Sequence, residues 1–108
     1  MTKSKINFVI YNLRKMSLKW HTRSKAIKRA RVERGLYRCD LCKYTGKRGE
    51  FELDHRIPVI DVKKGFTTFD EYIDRLLPDE VDGWQFLCKT CHDKKTTKEN
   101  KKRKKRGK

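Results

Sequence analysis

Apolar residues are scarce in this chain of 108 residues, of which 35% are hydrophobic and 41% are charged. No run approaches the roughly 18 apolar residues that span a membrane, so we expect no membrane segment. No apolar stretch of the secretory kind follows the basic N-terminus, so we expect a cytoplasmic, reducing location. A chain of this length forms one small domain, and with so little apolar surface to bury it needs a further staple.

Acidic residues are nearly absent from both ends of the chain. Residues 1–38 contain 12 Lys and Arg against one Glu, and residues 94–108 contain 10 against one. Residues 39–93 are mildly acidic, although the whole chain carries a net charge of +16. Solvated charge alone explains this poorly, because like charges repel one another. A polyanion partner explains it better, and nucleic acid is the common one. Acidic lipid is the weaker alternative, since no clear apolar face accompanies the charge.

The cysteines form two C-x2-C pairs, Cys39 with Cys42 and Cys88 with Cys91. Such pairs are typical of two disulfides or of one tetrahedral zinc site, and a reducing location favours Zn²⁺. Four thiolates complete the zinc coordination, so we expect a closed, structural site that supplies folding energy. In the alternative arrangement, His92 replaces Cys91 as the fourth ligand.

Three other side chains are suited to metal-assisted chemistry: Asp54, His55 and His92. His92 follows the last cysteine in the first turn of a predicted helix, where the helix dipole favours phosphate. Asp54 and His92 could share a divalent cation, and His55, with a reference pKa of about 6.5, could accept a proton from water. Neighbouring strand residues face opposite sides, so Asp54 and His55 converge only where the strand ends. Each has a plainer interpretation, Asp54 as a turn residue and His55 as a packed imidazole.

The pattern predicts three segments, a basic arm over 1–24, a domain over 25–99 and a disordered basic tail over 100–108. Residues 1–20 form either a short helix or an arm that docks on a partner. Ser24 is a candidate cap for a helix that ends near Gly35. Within the domain we expect strands at 51–54 and 84–87 and helices at 69–77 and from about 91, the first of them capped by Thr68.

The Asp54-His55 dipeptide, the segment from Trp84 to Thr96 and the upstream cysteine pair resemble the HNH endonucleases, in particular small zinc-containing HNH proteins of tailed phages. The resemblance implies a small α+β fold with a ββα-metal core, stapled by the four-cysteine zinc site. It implies that His55 is the general base. It also implies that Asp54 and His92 hold the catalytic cation, Mg²⁺ or another divalent ion such as Mn²⁺.

One position departs from the family pattern. The Asn that usually lies nine residues before the last His is Gly83 here, so Asp82, Gln85 or backbone groups would have to orient the base. The expected function is an endonuclease that nicks or cuts DNA with little sequence preference. The alternatives are a catalytically weak DNA-binding protein and an accessory of phage DNA packaging that acts with terminase.

Overall fold

The computed structural model describes residues 2–106, which form four α-helices and five β-strands. In chain order these are α1 (Lys3–Ser17), α2 (His21–Ala30), β1 (Arg31–Glu33), β2 (Leu36–Arg38), β3 (Thr45–Gly46), β4 (Phe51–His55), α3 (Phe69–Leu76), β5 (Trp84–Cys88) and α4 (Lys89–Arg106). Single 3₁₀ turns precede β4 and β5. None of the helices in this part of the chain is long and apolar enough to cross a membrane.

Strands β4 and β5 and helix α4 form the centre of the fold. The strands pair antiparallel, with Phe51 opposite Cys88 and His55 opposite Trp84. Helix α4 begins at Lys89, directly after β5, so its first turn lies at the end of the sheet. Strands β1, β2 and β3 form a separate antiparallel sheet. The predicted small α+β fold, with two strands followed by a helix, is confirmed.

A first core lies between the two-stranded sheet and the cysteines. Strand β5 is buried along its whole length, from Trp84 to Cys88. The ring of Phe86 stacks on that of Phe51, with 5.0 Å between the ring centroids. The buried members of this core are Ala30, Cys39, Phe51, Phe86, Leu87 and Cys88. Two cysteines therefore belong to the core itself, which ties the four-cysteine cluster to the packing of the strands.

Helix α1 packs on a second, smaller core. Ile10 and Leu13 contact the cluster formed by the buried residues Val59, Tyr72 and Leu76. The side chain of Thr2 caps the helix by accepting a hydrogen bond from the Lys5 amide. Of the two alternatives predicted for residues 1–20, the structure therefore has the helix. The helix packs on the chain's own core.

Helix α2 differs from its prediction at both ends. Ser24 lies inside the helix, where its hydroxyl donates to the carbonyl of His21, so it is not the cap. The helix begins earlier because Trp20 Nε1 and Thr22 Oγ1 both donate to the carbonyl of Pro78, at 2.7 and 2.8 Å. It ends at Ala30 because the following residues pair as the hairpin of β1 and β2, with Gly35 at φ 77°.

The sequence predicts a disordered tail over 100–108, but residues 100–106 are helical in the structure. Helix α4 continues to Arg106, and Arg103 Nη1 donates to the side-chain oxygen of Asn100 at 3.0 Å. Lys and Arg are good helix formers, and no Gly or Pro interrupts the run before Gly107. The charge pattern that indicated disorder is therefore compatible with a helix extended from a firmly placed first turn. Residues 107 and 108 lie outside the described part of the chain.

Candidate active site and zinc cluster

The four cysteine sulfur atoms lie together. All four Sγ atoms are within 4.8 Å of one another, and Cys42 Sγ is 3.6 Å from Cys88 Sγ. Zinc–sulfur bonds of about 2.3 Å in a tetrahedron place the sulfurs about 3.8 Å apart, so the cluster is compatible with a zinc site. The thiols are free, and 3.6 Å is far beyond a disulfide bond of about 2.05 Å. Within residues 2–106 only these four side chains form such a metal-ligand group, and His92 lies outside it.

Backbone hydrogen bonds hold the first cysteine pair against β5. Asp40 N donates to the carbonyl of Phe86, and the carboxylate of Asp40 accepts from the Phe86 amide, both at 2.8 Å. The turn closes through Lys43, whose φ of 66° lets its amide donate to the carbonyl of Cys39. The turn that carries Cys39 and Cys42, here called the zinc knuckle, is thus hydrogen-bonded to β5, the strand that leads to the second cysteine pair.

The thiols differ in acidity. Desolvation opposes ionisation of Cys39, but hydrogen bonds from the backbone of Cys88, Cys42 and Leu41 outweigh it and lower its pKa to about 6. Burial and the neighbouring sulfurs raise the pKa of Cys91 to about 12. Four thiolates so close together repel one another unless a cation compensates them. The donor set therefore fits Zn²⁺, which would hold all four sulfurs ionised.

Asp54, His55 and His92 line one open cleft of about 320 Å³. Asp54 and His55 lie on opposite faces of β4, as the strand geometry requires. They reach the same cleft because β4 ends at His55. Helix α4 supplies His92 from its first turn. The structure thus brings together the three residues that the sequence singles out.

The ring of His55 is held in one orientation. Its Nε2 lies 2.8 Å from the carbonyl oxygen of Leu76, at the end of α3. A carbonyl can only accept, so Nε2 carries the proton and Nδ1 of the neutral ring has the free lone pair. The ring also lies against that of Trp84, with 4.2 Å between centroids and the ring planes tilted by 35°. Burial is the main cause that lowers the pKa of His55 below its ordinary value, which favours the neutral ring.

Asp54 is held by contacts on both of its carboxylate oxygens. Oδ1 accepts from the amide of His55 at 2.8 Å, and Oδ2 accepts from Lys95 Nζ at 2.9 Å. Lys95 Nζ also donates to the carbonyl of His55 at 2.9 Å and to Glu99 Oε1 at 3.0 Å. The ammonium thus fixes the side chain of Asp54 and the backbone of His55 together.

Sequence reasoning missed Lys95 and Glu99, although a signal was available. The two residues are four apart on one helix, the spacing at which oppositely charged side chains meet. His92 and Lys95 are three apart and lie on neighbouring turns of the same helix face. The side chains of Lys95 and Glu99 are each only 16% exposed, which distinguishes this pair from the solvated lysines around it.

Position 83 has no room for the family's asparagine. A Cβ atom built on Gly83 would overlap Cβ of Pro78, far inside normal contact. Gly83 contributes its carbonyl instead, which accepts from the Arg56 amide at 2.9 Å. Asp82 forms an ion pair with Arg29 and its side chain is 82% exposed, so it does not contact His55. The carbonyl of Leu76 orients the ring.

One pair in the cleft could hold a cation. Asp54 Oδ2 lies 4.0 Å from His92 Nε2, and both side chains are partly exposed. With metal–ligand distances of about 2.1 Å, one divalent ion can contact both atoms. Carboxylate oxygen suits Mg²⁺ and Mn²⁺, whereas imidazole is a ligand for divalent transition metals. Two protein ligands leave the remaining coordination positions for water and phosphate oxygens.

Comparison with known proteins gives one family match. The chain has no significant match among the curated proteins or the solved structures searched. The family model described as HNH endonuclease matches residues 39–98, from the first cysteine of the cluster into the middle of α4. The matched segment contains both cysteine pairs, Asp54, His55 and His92 and makes up more than half of the chain. The chain therefore belongs to the HNH endonuclease family.

Proposed function

We propose that this chain is a metal-dependent endonuclease that hydrolyses DNA phosphodiester bonds with little sequence preference. The observation that carries the proposal is the orientation of His55. Its protonated Nε2 is occupied by the carbonyl of Leu76, so that Nδ1 is left as a base beside the two candidate metal ligands. For a histidine with only a packing role, we would not expect a ring held in one orientation and lining an open polar cleft.

His55 acts as the general base in this mechanism. Its Nδ1 accepts a proton from the attacking water, and Leu76 keeps the ring in the required tautomer and orientation. Burial lowers the pKa of His55, so the base is available at neutral pH without prior deprotonation. The neighbouring ring of Trp84 covers part of the imidazole and contributes to its burial. General bases of this kind contribute about 10²–10⁴ in rate.

Asp54 and His92 would hold a divalent cation, Mg²⁺ or another such as Mn²⁺. When bound, the cation polarises the phosphate and stabilises the leaving 3′ oxygen. Lys95 keeps the carboxylate of Asp54 turned toward His92, because it binds Oδ2 and is itself fixed by Glu99. Zn²⁺ on the four cysteines has a structural role, since four protein ligands leave no open coordination position.

DNA is the proposed substrate because the basic residues lie on both sides of the catalytic segment. Most of the 12 Lys and Arg of residues 1–38 belong to α1, α2 and the first hairpin, and nine of the 10 in residues 94–108 belong to α4. Such charge binds the phosphate backbone of any sequence. An association with phage terminase during DNA packaging rests on the family resemblance alone and would add to this activity.

A plasmid assay tests the proposal. The protein should be prepared with one zinc per chain and no other divalent metal, because a chelator such as EDTA would also remove the structural zinc. Added Mg²⁺ or Mn²⁺ should then convert supercoiled plasmid to nicked or linear DNA, and omission of the ion should leave the plasmid intact. Zinc-loaded, folded protein that cleaves with none of the divalent ions would contradict the endonuclease proposal.

A DNA-binding protein without catalysis is the second candidate, and Gly83 is the observation in its favour. The same plasmid preparation separates the two. A purely binding protein would retard plasmid in a gel shift and leave its supercoiling unchanged in every metal. The carbonyl of Leu76, which replaces the missing side chain as the partner of His55, favours the enzyme.

A further inference from the structure

The cleft extends well beyond the catalytic residues along α4. Four residues of this helix line it, namely His92, Thr96, Glu99 and Arg103. Their spacings of four, three and four place them in a single stripe. At 1.5 Å per residue the stripe is about 16 Å long, more than one phosphodiester occupies. The cleft is therefore a groove with the candidate metal ligands at one end and an arginine at the other.

Helix α1 contributes the other part of the lining. Arg14 and Ser17, three residues apart on α1, face the same groove. The position of α1 is fixed, because Ile10 and Leu13 pack on the second core and Ser17 at the end of the helix is buried. The guanidinium of Arg14 is close enough to His55 to contribute to the lowering of its pKa, after burial as the main cause. Arg14 is thus presented to the groove by a docked helix.

The charges in the groove are not balanced. Both of its carboxylates, Asp54 and Glu99, are paired with Lys95. Within residues 2–106, neither Arg14 nor Arg103 forms an ion pair, and Arg103 has only the hydrogen bond to Asn100. Two arginines without anionic partners, in a groove that ends at the candidate metal ligands, indicate a site for an anion longer than a single phosphate.

We propose that Arg14 and Arg103 bind backbone phosphates of the DNA strand that flank the scissile phosphate. The inference rests on the proposed nuclease function. It places the DNA strand in the groove between α4 and α1, running along α4. A strand of nucleic acid carries a phosphate at every nucleotide, so a groove of this length accommodates more than one. Both arginines lie outside the matched segment 39–98, so this subsite belongs to the chain's own additions to the family core.

Binding tests the subsite without any need for activity. Arg14→Gln and Arg103→Gln should be compared with Lys15→Gln and Lys102→Gln, which remove the same charge from the same helices but outside the groove. A fluorescent 16-base-pair duplex, titrated at several salt concentrations, reports affinity by anisotropy. Each arginine variant should bind about 10-fold more weakly, as expected for a charged hydrogen-bonded contact, and lose about 0.9 of the salt slope. Arginine variants that bind as well as their lysine controls would overturn the proposal.

Cleavage of two substrates then distinguishes flanking phosphates from the scissile one. Bis(p-nitrophenyl) phosphate contains one phosphodiester and no neighbour, whereas DNA contains both. Arg14→Gln should lower kcat/KM on DNA about 10-fold and leave that on the small diester within about twofold. An equal loss on both substrates would place Arg14 at the scissile phosphate and overturn the flanking assignment. If the parent protein cleaves neither substrate, the proposed nuclease function fails, and the binding comparison still decides the subsite.

Discussion

One of the two candidate metal centres of this chain is closed by protein ligands and the other is open to solvent, although both take a ligand from the first turn of α4. The cysteine cluster offers four ligands, two of them from the buried core, and leaves no position for substrate. The cleft offers two ligands, Asp54 and His92, and opens to solvent. Cys91 and His92 are consecutive residues of α4, yet the first belongs to the closed cluster and the second to the open cleft.

This difference shows how a protein with a small core can hold the ligands of an open metal site in a defined geometry. A site with few protein ligands cannot fix its own geometry and depends on the elements that carry those ligands. Here the cysteines join the knuckle at Cys39 to the end of β5 and the first turn of α4. We therefore expect the cluster to position His92 without taking part in chemistry. Loss of the closed centre should destroy both centres, whereas loss of the open one should leave the fold intact.

The largest effect is expected from the cysteines. A structural zinc contributes on the order of 10 kcal/mol, comparable to the whole stability of a domain of this size. Cys39→Ser and Cys88→Ser should therefore unfold the centre of the chain, as measured by circular dichroism and by zinc content. A variant that remains folded without zinc would show that packing alone holds the fold.

The candidate metal ligands of the cleft should behave in the opposite way. Asp54→Ala and His92→Ala should keep one zinc per chain and an unchanged thermal midpoint to within a few degrees, because both side chains are partly exposed. Both should abolish plasmid cleavage and weaken binding of Mn²⁺, measured by calorimetry on zinc-loaded protein. Loss of zinc from His92→Ala would instead place this histidine in the closed cluster.

A smaller effect is expected from Lys95, which contacts Asp54 and the backbone of His55. Lys95→Met removes the contacts to Asp54, His55 and Glu99, so cleavage and Mn²⁺ affinity should fall about 10–100-fold, as is typical when a support of a metal ligand is lost. Lys94→Met removes an exposed charge from the same turn and serves as the control. Equal behaviour of the two variants would mean that Lys95 contributes only general positive charge.

The pH dependence should show the smallest effect. Burial lowers the pKa of His55 in the folded chain below the value near 6.5 of an exposed histidine. The cleavage rate should therefore be level from neutral pH upward and fall only as the pH approaches the lowered pKa. The folded state binds this proton less readily than the unfolded state, so unfolding free energy should decrease as pH falls below about 6.5. His55→Gln should lack this decrease, and a parental rate that falls already between pH 8 and 7 would argue against a lowered pKa.

Local patterns predicted the centre of the fold because its signals are local. Two C-x2-C pairs and two short apolar segments fixed β4, β5 and the start of α4 to within about two residues. Thr68 caps α3 as predicted, since a cap depends only on the next three residues. The extent of α4 was not predictable from charge, because a basic run is compatible with either a helix or disorder.

The remaining features of the site depend on contacts between distant segments. The carbonyl of Leu76 meets His55 across 21 residues, and Lys95 meets Asp54 across 41. Backbone carbonyls have no sequence signature, so the partner of His55 could not be identified from residue types. Arg14 was assigned to a basic arm because nothing in the first helix reveals that it docks on the core beside α3. The sequence shows Gly83 as a departure from the family pattern, but not that Pro78, five residues away, fills the space that a side chain would need.

The central claim is that His55 is the base of the open site, and a matched pair of histidine variants tests it most directly. Zinc-loaded parent, His55→Ala and His21→Ala should be compared for plasmid cleavage at saturating Mn²⁺, with DNA affinity measured in parallel. His21 lies at the start of α2, where its ring contacts Trp20, and is not part of the cleft. We predict that His55→Ala cleaves about 10²–10⁴-fold more slowly, with DNA affinity within a few-fold, and that His21→Ala matches the parent. Cleavage by folded His55→Ala at the parental rate would contradict the account.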